Sequence, residues 1–170
     1  IGWAPFYQVW KLRGRPPAIL ADARFGEEAR KIHAAAFGMI ERMEREGLPE
    51  AAGVVGLFPA EPDGDDIHLF DPDKLDRRIA TIHTLRQQIA RTSSAPQLAL
   101  ADFVLPPADG RRDHVGLFAV TGGLGIAPLL ENYKRDGDDY NLILAEAMAD
   151  RLAEAMAEWL HEKVRRELWG

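Results

Sequence analysis

Cysteine is absent from the 170-residue chain. That absence excludes disulfides, thiolate zinc sites and cysteine nucleophiles together. An excess of positive charge is missing too: 21 Lys and Arg stand against 27 Asp and Glu, a formal net charge of -6. A protein that grips a nucleic-acid backbone needs a basic surface to displace counterions, so nucleic acid is not an expected partner. The basic runs that do occur, Arg111-Arg112 and Lys163 to Arg166, are short and lie beside acids, as solvated faces do. No apolar run approaches the ~20 residues that span a bilayer, and no signal-peptide pattern opens the chain. A cytoplasmic location without a membrane partner is the expectation. Serine is scarce as well. Only Ser93 and Ser94 could act as nucleophiles, and neither has a nucleophile-elbow context.

What is present is an ordinary globular balance, 46% apolar and 28% charged, in a length that suits one domain. The segment Ala4 to Leu12 predicts a short helix with Pro5 at its start, stopped by Gly14. In "FGEEARKIHAAAFGMIERMEREG" the apolar residues Ile32, Ala36, Met39, Ile40 and Met43 recur at helical spacing, and Gly47 ends the run. "GVVGLFPA" and "IHLFD", on either side of the acidic turn "EPDGDD", read as a β-hairpin. "IATIHTLRQQIART" reads as a helix carrying Ile79, Ile82, Leu85 and Ile89 on one side. "LALADFVLPP" and "DHVGLFAVTGG" read as two further strands. Two helices follow, Ala127 to Tyr133 and roughly Asp139 to Leu168. The last places Leu142, Ala145, Ala149, Leu152, Met156, Trp159, Leu160, Val164 and Leu168 in one apolar stripe. Strands and helices do not alternate regularly. The expected fold is therefore α+β, a mostly antiparallel sheet packed against helices with a long C-terminal helix.

Candidate chemistry is sparse. Asp150, Glu154, Glu158 and His161 share nearly one face of the last helix. Like charges one turn apart repel, so such a face is either a solvated stripe or a surface that meets something cationic. Glu158 to His161 is an E-x-x-H, but a di-iron bundle needs a second such motif and two more glutamates, so no metal is expected. "TGGLG" (Thr121 to Gly125) lacks the Gly-Lys-Ser/Thr of a phosphate loop and reads as a tight turn that uses positive φ. His83 and Arg86 could line a cleft, and "DDYN" offers an aspartate to cap the last helix.

These stretches together carry a resemblance. "IGWAPFYQVWKLRGRPPAIL", "GVVGLFPA", "HTLRQQ", "LADFV", "AVTGG", "DDYN" and "ADRLAEAMAEWLHEKVRRELWG" follow one another as in the activation domain of cobalamin-dependent methionine synthase, over essentially residues 1–170. The resemblance implies a module that binds S-adenosylmethionine as methyl donor for the reductive methylation of cob(II)alamin. It also implies a cobalamin-binding module and a flavodoxin-like reductant as partners, with cobalamin held on the partner module. It implies that Glu154 contacts S-adenosylmethionine and that Asp150 faces the cobalamin module. Gly2 stands where the family normally has Asp. The family's domain continues past "LWG" into segments that carry an arginine and aromatic ligand contacts. This chain is accordingly expected to be a truncated, N-terminal portion, without catalytic competence by itself and with weak or no S-adenosylmethionine binding. A docking module that has lost that ligand is the alternative. Truncation would leave part of the last helix's apolar stripe, including Trp159 and Leu168, without cover, and dimerisation or repacking should hide it.

Overall fold

The structure, a computed structural model, describes residues 2–89, 95–108 and 111–169. Helix α1 (Trp3–Val9) leads through a single 3₁₀ turn (Ala18–Ala21) to α2 (Gly26–Glu46). Strands β1 (Glu50–Asp63), β2 (Asp66–Phe70) and β3 (Arg78–His83) follow, then a 3₁₀ turn at Leu100–Phe103. Strand β4 (Asp113–Leu124), α3 (Ala127–Asp136) and α4 (Asp139–Lys163) complete the chain, with one π turn at Val164–Leu168. The four strands form one sheet in the order β3-β2-β1-β4, and β1, β2 and β3 pair antiparallel. The α+β expectation holds.

Two compact units make up the chain, Ile1–Val54 with Ala119–Gly170, and Val55–Phe118. The first is mainly helical. Phe6, Tyr7, Ile32, Met39, Met43, Leu129, Tyr133, Leu144 and Met148 are buried together in its core. The second has its own small core of Ala60, Ile67, Leu69, Ala101 and Val104.

Helix α1 ends earlier than its sequence predicts. The Lys11 N–H donates to the Gln8 carbonyl at 2.9 Å and the Leu12 N–H to the Tyr7 carbonyl at 3.0 Å. These are the paired bonds of a Schellman motif, and they put Lys11 at φ 58, where glycine is usual. Helix α2 closes as predicted on left-handed Gly47. The hairpin also appears as expected. Asp63 faces Asp66 across a two-residue turn, and Gly64 at φ 60 supplies the positive angle that such turns need.

Two expectations fail. The segment read as a helix from Ile79 onward is β3, with Ile67 opposite Ile82 and His68 opposite Thr81, followed by chain without regular secondary structure as far as residue 89. Its supposed helical stripe would need Leu85 and Ile89 inside, yet they are 81% and 70% exposed. Cross-strand pairing with β2 and the β-branched Ile79, Thr81 and Ile82 override the spacing. The last residues of that segment, and Ser93 and Ser94, lie outside the described residues. The segment read as a strand around Leu100 instead curls into a 3₁₀ turn, because the Asp102 carboxylate reaches back to accept from the Ala99 N–H at 2.9 Å.

Helix α4 runs for 25 residues. Asp138 caps it by accepting from the Asn141 N–H at 3.1 Å and the Asn141 amide at 2.7 Å, which lowers the carboxyl pKa of Asp138. Its core-facing side is Leu144, Ala145, Ala147, Met148 and Leu160. The predicted stripe is thus right at Ala145, Leu160 and Val164, half-buried at Leu142, Ala149, Leu152 and Met156, and wrong at Trp159 and Leu168, which are exposed.

Candidate functional site

The start of α1 is anchored to α2 by rings. Trp3 stacks on Phe37 with centroids 5.4 Å apart, lies 4.7 Å from the His33 ring and meets the edge of Phe6 at 5.5 Å. Burial raises the Tyr7 pKa, and its hydroxyl shares a hydrogen bond with Nδ1 of His33 at 2.7 Å. These contacts fix the backbone at Gly2, whose extended conformation leads directly into the helix.

That backbone faces α4. A Cβ added at Gly2 would lie 3.0 Å from Oε2 of Glu154 and 3.9 Å from Cδ of Pro5. Two residues more than 150 positions apart therefore face each other across one cleft, and both are positions that the sequence resemblance singled out. Between them opens a cleft of about 420 Å³, lined by Gly2, Trp3, Ala4, Pro5, Arg15, Pro16, Glu154 and Glu158. Glu154 is ion-paired through Oε2 with Nη1 of Arg151 one turn earlier on the helix. The Arg151 side chain is only 17% exposed, against 43% for Glu154, so the pair is half sheltered.

The cleft has mixed charge, with two carboxylates from α4 and one guanidinium, Arg15, from the segment after α1. Such a set suits a ligand that carries both signs: Arg15 can meet a carboxylate, Glu154 and Glu158 an ammonium or a sulfonium. Asp150 lies on the same helix one turn before Glu154, exposed and outside the cleft. A wider open hollow of about 820 Å³ adjoins the end of α1 and is basic, lined by Lys11, Arg13 and Arg15 among others.

Sequence reasoning saw Glu158 as part of an acidic stripe and of an E-x-x-H, not as a lining residue of a cleft, and missed Arg15. Nothing local marks an arginine in a Pro-rich exit as facing a helix far along the chain. Arg151 was legible from its i,i+3 spacing to Glu154. The residues proposed to line a cleft in the second unit do not form one. His83 pairs with Asp66 at 2.9 Å on the surface, and Arg86 is consumed by two carboxylates. Among the described residues, no group of three or more His, Asp or Glu is placed to hold a metal ion, and no helix is long and apolar enough to cross a membrane.

Fold and cleft together describe an α+β domain whose candidate site joins the start of the chain to its last helix. The match to known proteins is specific. The family model described as vitamin B12 dependent methionine synthase, activation domain, matches residues 1–170. A solved structure described as the MetH reactivation domain bound to AdoHcy is 44% identical, with a TM-score of 0.90. The alignment covers 100% of this chain and 52% of that one, so the chain spans about half the length of its solved relative. The chain belongs to the methionine synthase activation domain family.

Proposed function

We propose that this chain forms one wall of an S-adenosyl ligand site in the reactivation module of a cobalamin-dependent methionine synthase. The observation that carries it is that Glu154 Oε2 lies in the Cβ direction of Gly2, with both residues lining one mixed-charge cleft. AdoHcy in the 44% identical relative belongs to the same chemical class as S-adenosylmethionine. In this reading S-adenosylmethionine is the methyl donor for reductive methylation of cob(II)alamin, and cobalamin is held by a separate module. Glu154 receives the ligand's positive end, and the exposed Asp150 faces the cobalamin module. A flavodoxin-like reductant supplies the electron, and the module works in the cytoplasm.

Binding by this chain alone is weak and catalysis absent. A zwitterion with a cationic sulfur needs several convergent partners, and a half-exposed carboxylate already paired with arginine contributes little by itself. The remaining contacts are expected on the part of the larger domain that the alignment leaves uncovered. Gly2, which offers no side chain to a ligand, favours the second reading, a docking module for a cobalamin-binding protein that has dispensed with S-adenosylmethionine.

The ligand reading is tested by an NMR titration of the isotopically labelled chain with S-adenosylmethionine. Millimolar saturation that moves the Trp3 indole and the Glu154 region, weakened about fivefold or more in Glu154→Gln, supports the ligand site. The fold-change is the order expected when one carboxylate loses its charge in a partly hydrated site. No shift at tens of millimolar ligand would overturn a ligand site on this chain alone; it is the outcome expected of a docking module and of an incomplete site alike.

A further inference from the structure

The two edges of the sheet are not alike. In the order β3-β2-β1-β4, each outer strand has a strand neighbour on one side only among the described residues. An edge of that kind is a template on which a further strand can pair. Strand β3 guards its edge. It is six residues long, carries Arg78 and His83, and shifts register where Phe70 meets Arg78. Short length, charge and irregular register are the usual means of discouraging another strand. Strand β4 has neither the brevity nor the charge. It runs for 12 residues, "DHVGLFAVTGGL", with no Lys, Arg or Pro and no carboxylate after Asp113.

Side chains alternate between the faces of a strand, so a sheet with one covered face buries every second residue. In the part of β4 that belongs to the second unit this alternation breaks down. Leu117 and Phe118 are successive residues on opposite faces, yet they are 41% and 48% exposed. More apolar surface adjoins the start of the strand. The Leu105 N–H donates to the Asp113 carboxylate at 2.9 Å, and the Leu105 side chain is 70% exposed. Consecutive exposed apolar residues on a long uncharged edge mark a surface that another element covers.

We infer that β4 is completed by one more strand, supplied by the half of the domain that lies beyond the alignment with this chain. The edge sets the chemistry of that strand. It joins through main-chain hydrogen bonds, and it is apolar on both faces, because β4 places Leu117 and Phe118 on opposite sides and offers no charge between them. The solved relative has the chain to supply it, since the alignment covers 52% of that domain. This surface lies outside the ligand cleft, so the inference stands or falls without any ligand.

The test is amide hydrogen exchange on two chains: the 170 residues as they stand, and the same residues joined to the part of the 44% identical relative that the alignment leaves uncovered. Along a strand, alternate residues turn their N–H groups to the same side. In the chain alone, the alternate amides of residues 114–118 that face away from β1 should exchange freely. In the joined chain that set should slow by about a hundredfold, the order expected when an amide enters a cooperative sheet, while β3 does not change. Leu117→Lys/Phe118→Lys puts a charge on each face. It should leave the chain alone folded and remove the added protection. Unchanged exchange of the outward set, in a joined chain whose α4 amides are protected, would overturn the inference. So would slowing in the chain alone that grows with its concentration, because a second copy would then hold the edge. If the joined chain does not fold, the labelled chain is mixed with the excised half of the relative, and unchanged exchange there overturns the inference equally.

Discussion

At the scale of the residue, Asp102 carries more than its position suggests. Its two oxygens accept from Nη1 and Nη2 of Arg86 at 2.7 and 2.8 Å and from the Ala99 N–H at 2.9 Å. Arg86 also donates to Asp65 at 2.6 and 2.9 Å and to the Gln97 carbonyl at 2.7 Å. One guanidinium thus ties the hairpin turn, the extended chain after β3 and the 3₁₀ turn together. These bonds hold the Asp102 carboxyl at about 2, well under the usual carboxylate range. A depressed folded-state pKa contributes stability that is complete above about pH 4 and is lost as pH falls toward 2. Urea unfolding midpoints measured between pH 6 and 2.5 should therefore fall more steeply for the native chain than for Asp102→Asn. The two curves should converge at the acid end, and parallel curves would count against this role. The sequence shows an Arg and an Asp 16 residues apart with no sign that they meet. Only the turn of the backbone between them makes the pair.

At the scale of the element, Gly122 decides how β4 meets α4. A Cβ there would lie 2.4 Å from the Ala153 nitrogen and 2.8 Å from the Ala149 carbonyl oxygen, both main-chain atoms that cannot swing aside. In "TGGLG" the sequence suggests a tight turn that uses positive φ, and it is Gly125 that has it, at φ 78. Gly122 is needed for close approach instead. Its replacement by alanine overpacks the strand against the helix, and a loss of about 3 kcal/mol is expected from chemical denaturation. Gly123→Ala is the natural control, because a Cβ there meets only Ile126 Cγ2 at 3.8 Å, and it should cost far less. A glycine required by a neighbour has the same local signature as one required by its own φ, so sequence could not tell them apart. Helices α2 and α4 were legible because long amphipathic periodicity and their terminal signals agree. The segment from Ile79 onward was not, since Ile79, Ile82, Leu85 and Ile89 recur at helical spacing while pairing with β2 decides its structure.

At the scale of the whole molecule, apolar surface is distributed unevenly. Trp159, Leu168 and Trp169 lie 54%, 49% and 50% exposed at the end of α4 and just beyond it. In the second unit Leu100, Phe103 and Leu105 are also exposed. Patches of large apolar side chains are normally covered by another surface. A second copy of the chain is the occupant we propose for the α4 end. Sedimentation velocity from about 5 to 500 μM should then show concentration-dependent association, lost in Trp159→Glu/Leu168→Glu. A single monomeric species across that range would remove the proposal.

Composition and pattern alone determined the α+β class, the hairpin at Gly64, the limits of α2 and the cap of α4, because each rests on residues that are neighbours along the chain. They also determined the chemistry on offer, since a chain without cysteine and with a run of carboxylates on one helix face has few options. The tertiary structure decided the rest. It made a strand of the segment at Ile79 by giving it β2 to pair with, spent Arg86 on structure, and set Gly2 against Glu154 from opposite ends of the chain. Interactions over such separations are set by how whole elements pack, and packing geometry is not written in local periodicity.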